Sequence, residues 1–121
     1  MRLYPGVPYE YTSVAGRLIF AAGACPLDED GVVVAVGDLE AQAARCVDNL
    51  LAALAARGAG AGDLLKSTIY VASASRDDLV AVWDVVSARL GRAPATLLGV
   101  SMLGWPNQLV EIEAIASLPE G

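Results

Sequence analysis

A chain of 121 residues with 55% apolar and 18% charged residues fits one domain, residues 1–121, and is too apolar to stay disordered: domains cluster near ~100–150 residues, and average chains hold about 45–50% apolar and about 25% charged residues. A formal net charge of −6, eight scattered basic residues and no histidine leave no basic patch to release counterions from a phosphate backbone, which argues against nucleic-acid binding. No run approaches the ~18 uninterrupted apolar residues of a membrane span, and Met1-Arg2-Leu3-Tyr4-Pro5-Gly6 lacks the apolar core of a signal peptide, so a soluble cytoplasmic protein is expected, with no membrane partner.

The first elements form a hairpin: apolar runs Tyr9–Val14 and Leu18–Gly23 flank Ala15-Gly16-Arg17, where Gly16 supplies the positive φ of a tight turn. After the polar turn Asp28-Glu29-Asp30-Gly31, the β-branched run Val32-Val33-Val34 predicts a third short strand. Asp38 caps a helix over Leu39–Arg57, with Glu40 at its positive dipole end and an inward stripe of Ala43, Val47, Leu50 and Leu54. Gly58, Gly60 and Gly62 end it before the β-rich segment Leu64–Val71. Ser75 with Asp78 resembles a capping box opening a second helix over Arg76–Leu90, and Gly91 follows. Two last strands, Ala95–Leu103 and Leu109–Ala116, flank the turn Gly104-Trp105-Pro106-Asn107. Cys25 and Cys46, with 20 residues between them and no histidine nearby, fit no zinc pattern and read as reduced, buried thiols; neither a metal nor a cofactor is called for.

This order predicts an α+β domain, a six-stranded and mostly antiparallel sheet with two helices on one face. In the last strand Val110, Ile112, Ala114 and Ala116 point one way and Leu109, Glu111, Glu113 and Ile115 the other, so the all-apolar side belongs under the helices. Other strands are apolar on both faces, as in Leu18 and Phe20 against Ile19 and Ala21. Two helices cover one face only, so neighbouring subunits are expected on the other.

Five spaced landmarks then combine: Gly23-Ala24-Cys25-Pro26; Gly37-Asp38, Gln42 and Asn49-Leu50; Leu64-Leu65-Lys66; Pro94-Ala95; and Val110-Glu111-Ile112-Glu113-Ala114. Across Tyr9–Ala116 the chain resembles the Rid family, also called YjgF/YER057c/UK114. The resemblance implies a chorismate-mutase-like fold, a homotrimer with small-molecule clefts between subunits, and hydrolysis of enamines and imines derived from amino acids to 2-keto acids and ammonia. Some members have been described as ribonucleases, a reading that the charge balance and the lack of histidine do not favour here.

By the same resemblance Glu111 occupies the position of the family's water-orienting acid, and the alternative is an interface carboxylate satisfied by a backbone amide or an arginine. Glu113 reads as a structural ion-pair partner. Tyr9, Ala22 and Gly23 fall near the implied cleft, with strand packing as the alternative for Tyr9. Thr96 stands where the family has the arginine that grips a substrate carboxylate, and it offers one hydroxyl in place of a charged fork. Trp83 replaces a frequent asparagine, Leu98 a position that is cysteine in some members, and Ala24 the usual glutamine. Each change makes the cleft less polar; ordinary core packing is the alternative for Trp83 and Leu98. Arg17 and Arg92 are candidate substitute cations, with solvated surface roles as the alternative. Three functions stay open: an enamine/imine deaminase-type hydrolase of altered substrate range, a non-catalytic metabolite-binding or regulatory protein, or a differently specialised enzyme on the same trimer, such as a tautomerase.

Overall fold

The inward stripe of the first helix and the alternation of the last strand meet as expected in the computed structural model, which describes residues 2–120; Met1 and Gly121, included in the one-domain reading, lie outside them. The elements are β1 (Thr12–Ala15), β2 (Leu18–Ala24), α1 (Leu39–Ala55), β3 (Leu64–Val71), α2 (Arg76–Leu90), β4 (Ala95–Gly99) and β5 (Val110–Ser117). Ala43, Val47, Leu50 and Leu54 of α1 are fully buried against Ile112, Ala116, Ile69 and Ile19 of the sheet. Burying a large aliphatic side chain is worth about 1.5–3 kcal/mol, so this one apolar layer dominates the stability.

The sheet has five strands in the order β1-β2-β5-β3-β4, not six. Val32–Val34 forms no strand of the sheet. The Asp28 carboxylate accepts from the Asp30 and Val32 amides, and Gly31 takes φ 79°, so the segment folds back on Pro26–Asp28 and only Val33 bridges Leu27. Ala35 at φ 50° then bends the chain toward α1 before the pairing can lengthen. The pairings β1–β2, β2–β5 and β3–β5 are antiparallel and β3–β4 is parallel, because α2 carries the chain back across the sheet between β3 and β4. The sheet is therefore mixed.

Element ends shift where local chemistry overrides the apolar pattern. Asp38 caps α1 by accepting from the Ala41 amide at 3.0 Å. That helix stops at Ala55, before Arg57, as Gly58 turns with φ 78°. Ser75 precedes α2 but its side chain makes no capping bond; Ser73 instead links the turn to the helix, donating to Asp78 Oδ2 at 2.7 Å and accepting from the Ser75 amide at 3.0 Å. β4 ends at Gly99, four residues short of Leu103. A Cβ on Gly99 would stand 2.7 Å from the Ser73 carbonyl oxygen, so the strand runs close under the start of α2.

Candidate functional site

Glu111 lies at the end of β5, on the face away from the helices. Its neighbours there follow from the register: Tyr70 of β3 is its Cα partner, and Leu98 of β4 is in turn the partner of Tyr70. The next row toward the strand's far end holds Glu113, Thr68 and Thr96. Thr96 and Leu98 thus share the open face with Glu111, and both are exposed. Beyond them, Phe20, Lys66, Thr68, Glu113 and Ile115 line a recess of about 340 Å³ on the same face.

Two chain segments distant in sequence close on the Glu111 carboxylate. Cys25 donates its S–H to Oε1 at 3.2 Å, and Gln108 donates from Nε2 to the same oxygen at 3.0 Å. Gly23 lies against the other side: a Cβ there would stand 2.7 Å from Glu111 Cδ, so any other residue would push the carboxylate from this position. A bulge in the β2–β5 ladder between Ala21 and Ala24 sets Gly23 in that place. Within the chain the Glu111 carboxylate is thus held by a thiol and a side-chain amide.

Helix α1 holds both segments. Asn49 Nδ2 donates to the carbonyls of Cys25 at 2.8 Å and Leu27 at 2.9 Å. Arg45 Nε donates to Leu27 as well, at 3.0 Å. One turn and more away, Gln42 accepts from the Leu109 amide at 2.8 Å and donates to the Asn107 carbonyl at 3.0 Å. Gln42, Arg45 and Asn49, spaced three and four apart, form one polar stripe on the helix. That stripe binds the loop before Glu111 and the loop bearing Cys25 to a single rigid element. Gln42 and Asn49 are almost wholly buried, as side chains that replace absent backbone partners must be.

Tyr9 packs edge-on against Tyr11, ring centroids 6.2 Å apart, beside Cys25. Burial first, then the neighbouring Cys25, Tyr11 and Glu111, push its hydroxyl up to about 12, so it remains a neutral donor at physiological pH. The Cys25 thiol is pushed up to about 12, by burial first and the Glu111 charge second. Both cysteines are free and buried, as expected. Ala22 and Ala24 line a narrow crevice with Tyr4, Tyr9, Tyr11 and Cys25.

The expected site residues divide accordingly. Tyr9, Ala22, Gly23 and Glu111 gather around Cys25, and Thr96 and Leu98 share the open face from β4, two strands away from Glu111. Trp83 does not: it is 37% exposed and lies on the helix side of the sheet over Ser67, Ile69 and Ala95, at the rim of the core and not inside it. Glu113 makes a hydrogen bond in place of the expected ion pair, accepting from the Tyr70 hydroxyl at 2.6 Å. That bond, ahead of burial, pushes Tyr70 up to about 12. Arg17 donates to the Leu118 carbonyl at 2.7 Å, at the opposite end of β5 from Glu111. Arg92 lies in the exposed turn after α2. Neither arginine faces Glu111 within the chain. Among the described residues no group of three or more His, Cys, Asp or Glu is placed to hold a metal, and no helix is long and apolar enough to cross a membrane.

Cys25 and Gln108 are the members of this site that the sequence did not flag. Both stand beside recognisable residues, but 86 residues separate Cys25 from Glu111, and nothing local in either segment signals the contact.

The model of the family described as endoribonuclease L-PSP matches residues 1–118. A RutC family protein of Pyrococcus abyssi is 31% identical over 110 residues, 90% of this chain and 85% of that protein. Protein DfrA of Myxococcus xanthus is 34% identical over 84% of this chain and 77% of its own. Among solved structures, a member of the YjgF/YER057c/UK114 family from Mycobacterium tuberculosis is 30% identical with a TM-score of 0.75, covering 92% of this chain and 87% of that one. TdcF of E. coli, with bound serine, is 25% identical with a TM-score of 0.80, covering 92% and 88%.

Proposed function

The chain belongs to the Rid family, the YjgF/YER057c/UK114 group matched by the endoribonuclease L-PSP model, and from that premise we propose that it hydrolyses small imines or enamines of altered range, with Glu111 orienting the attacking water. The observation that carries this reading is the Glu111 carboxylate, fixed on one oxygen by Cys25 and Gln108 and set beside the neutral Tyr9 hydroxyl. Hydrolysis of an imine needs a base that positions water against the carbon and a donor that delivers a proton to the nitrogen. Glu111 is the first and Tyr9 the second. Serine bound to TdcF supports a small-molecule ligand of amino-acid size. The site is completed by assembly into a homotrimer in the cytoplasm, in which the exposed Leu18, Phe20 and Leu98 are covered by neighbouring copies.

Thr96 sets the range. A hydroxyl replaces the charged fork that would pair both oxygens of a carboxylate, so imines lacking a carboxylate are preferred. Freshly generated 2-iminobutanoate and an uncharged imine of similar size, each followed for ammonia and carbonyl product, test this. Acceleration of the uncharged imine above buffer, lost by at least about a hundredfold in Glu111→Gln, is the expected result for a group handling the proton or water. Equal rates with and without protein for both compounds would sink the hydrolase.

The second reading, a metabolite-binding protein without turnover, is favoured by the same Thr96 and by the exposed Leu98 beside it. It predicts thermal stabilisation by a ligand that Glu111→Gln weakens while no product forms. A ribonuclease is disfavoured by the charge of −6 and the absence of histidine.

A further inference from the structure

Glu111 has two carboxylate oxygens in different surroundings. Oε1 accepts from the Cys25 thiol at 3.2 Å and the Gln108 amide at 3.0 Å, whereas Oε2 lies over Gly23, where a side chain would collide with it. The Gln108 amide cannot be reversed. Its Nε2 also donates to the Val110 carbonyl at 3.0 Å, and its Oε1 accepts from the Trp105 amide at 3.0 Å; a flip would set oxygen against two acceptors and nitrogen against a donor. Gln108 is 4% exposed and Cys25 7%, so water cannot readily replace either donor.

We propose that Cys25 and Gln108 are positioning residues that hold Glu111 by Oε1 and thereby leave Oε2, above Gly23, as the oxygen that meets water or ligand. This rests on the reading of Glu111 as the water-orienting acid. Without the two donors the carboxylate would rotate and exchange its oxygens, and a group that must lie within a fraction of an ångström of its working position would spend most of its time elsewhere. The thiol serves as a donor and not a nucleophile. Burial and the Glu111 charge hold it protonated, and a protonated, buried thiol is unreactive. Gly23 has a matching role, since its missing side chain is what keeps the space beside Oε2 open.

The S–H stretching band of Cys25, assigned by difference against Cys25→Ala, reads the contact without any substrate. Glu111→Gln exchanges a charged acceptor for a neutral one, so the band is expected to move to higher frequency; a band that stays in place overturns the pinning. In turnover of an imine, Cys25→Ala and Gln108→Leu are each expected to lower kcat by about tenfold while KM stays within about threefold, and Cys25→Ser, which still donates, remains within about threefold of the parent. Should Cys25→Ser fall as far as Cys25→Ala at unchanged melting temperature, the thiol is packing only and the proposal fails. If the parent protein turns over no imine, the hydrolase reading is lost, and the vibrational result alone decides whether Glu111 is held.

Discussion

The two faces of the sheet are built from the same strands and obey different rules. Under α1 and α2 every second position of β5, Val110, Ile112, Ala114 and Ala116, is aliphatic and buried, and its neighbours Ile19, Ile69 and Val71 are equally so. The opposite face sets Glu111, Glu113, Tyr70, Thr68 and Thr96 among Phe20, Leu98 and Ile115. The first face is specified by volume, the second by hydrogen-bond partners. A substitution of the same size should therefore act on stability on one side and on ligand or assembly on the other.

The largest effect expected is on the helix side. Leu50→Ala empties space in a fully buried position and should cost about 2–5 kcal/mol, read as a lower urea midpoint at unchanged slope. Phe20→Ser, at 41% exposure on the open face, should by comparison barely alter unfolding of the separated chain while reducing, in light scattering, the mass of the trimer proposed above. Similar stability losses from both would abolish the distinction between the faces.

Alkaline titration sharpens the comparison at the sheet's end, where the faces meet. Cys25 and Tyr9 have folded values raised to about 12, above ordinary values of about 8.5 and about 10. The folded state therefore keeps protons that the unfolded chain releases. Stability from these groups is fully present below about pH 8.5 and is lost as pH rises toward 12. Unfolding free energy should be flat from neutral pH to that point and decline above it, with a shallower decline in Cys25→Ala. An identical decline in that variant would show that Cys25 does not contribute.

Tyr70→Phe, on the open face, removes only the bond to Glu113 and should cost no more than about 1 kcal/mol. A loss as large as that of Leu50→Ala would mean that the open face too is held by its internal contacts.

The helix face was legible because one property, apolar surface, repeats at the period of each element. The α1 stripe and β5 alternation could be read directly, and the second helix, Arg76–Leu90, is found at those bounds. Val32–Val34 misled because β-branched residues report that a strand is tolerated, not that a partner is within reach; the Asp28 turn had already directed the segment elsewhere. Trp83 lies on the apolar side of α2 yet stays 37% exposed at the rim of the core, a depth that helical spacing alone does not reveal. Glu111, Gly23 and Thr96 were legible only through the pattern of the resemblance. Cys25 and Gln108 were not: the thiol reaches Glu111 from 86 residues away, and Gln108, only three residues from it, sits before the strand where no periodic pattern marks the direction of its side chain.

The strand order has a consequence for how the molecule comes into being. β5 is the last strand in the chain, yet it lies between β2 and β3 at the middle of the sheet. Until it emerges from the ribosome, the β1–β2 hairpin and the β3–α2–β4 unit share no strand that could join them, and both keep an unsatisfied inner edge. Completion of the sheet thus waits until β5 has been made, and the segment that joins the halves is the one carrying Glu111. A nascent chain arrested before Val110 would hold two sticky fragments and lack the acid, so chaperone demand and acquisition of the site should end in the same step.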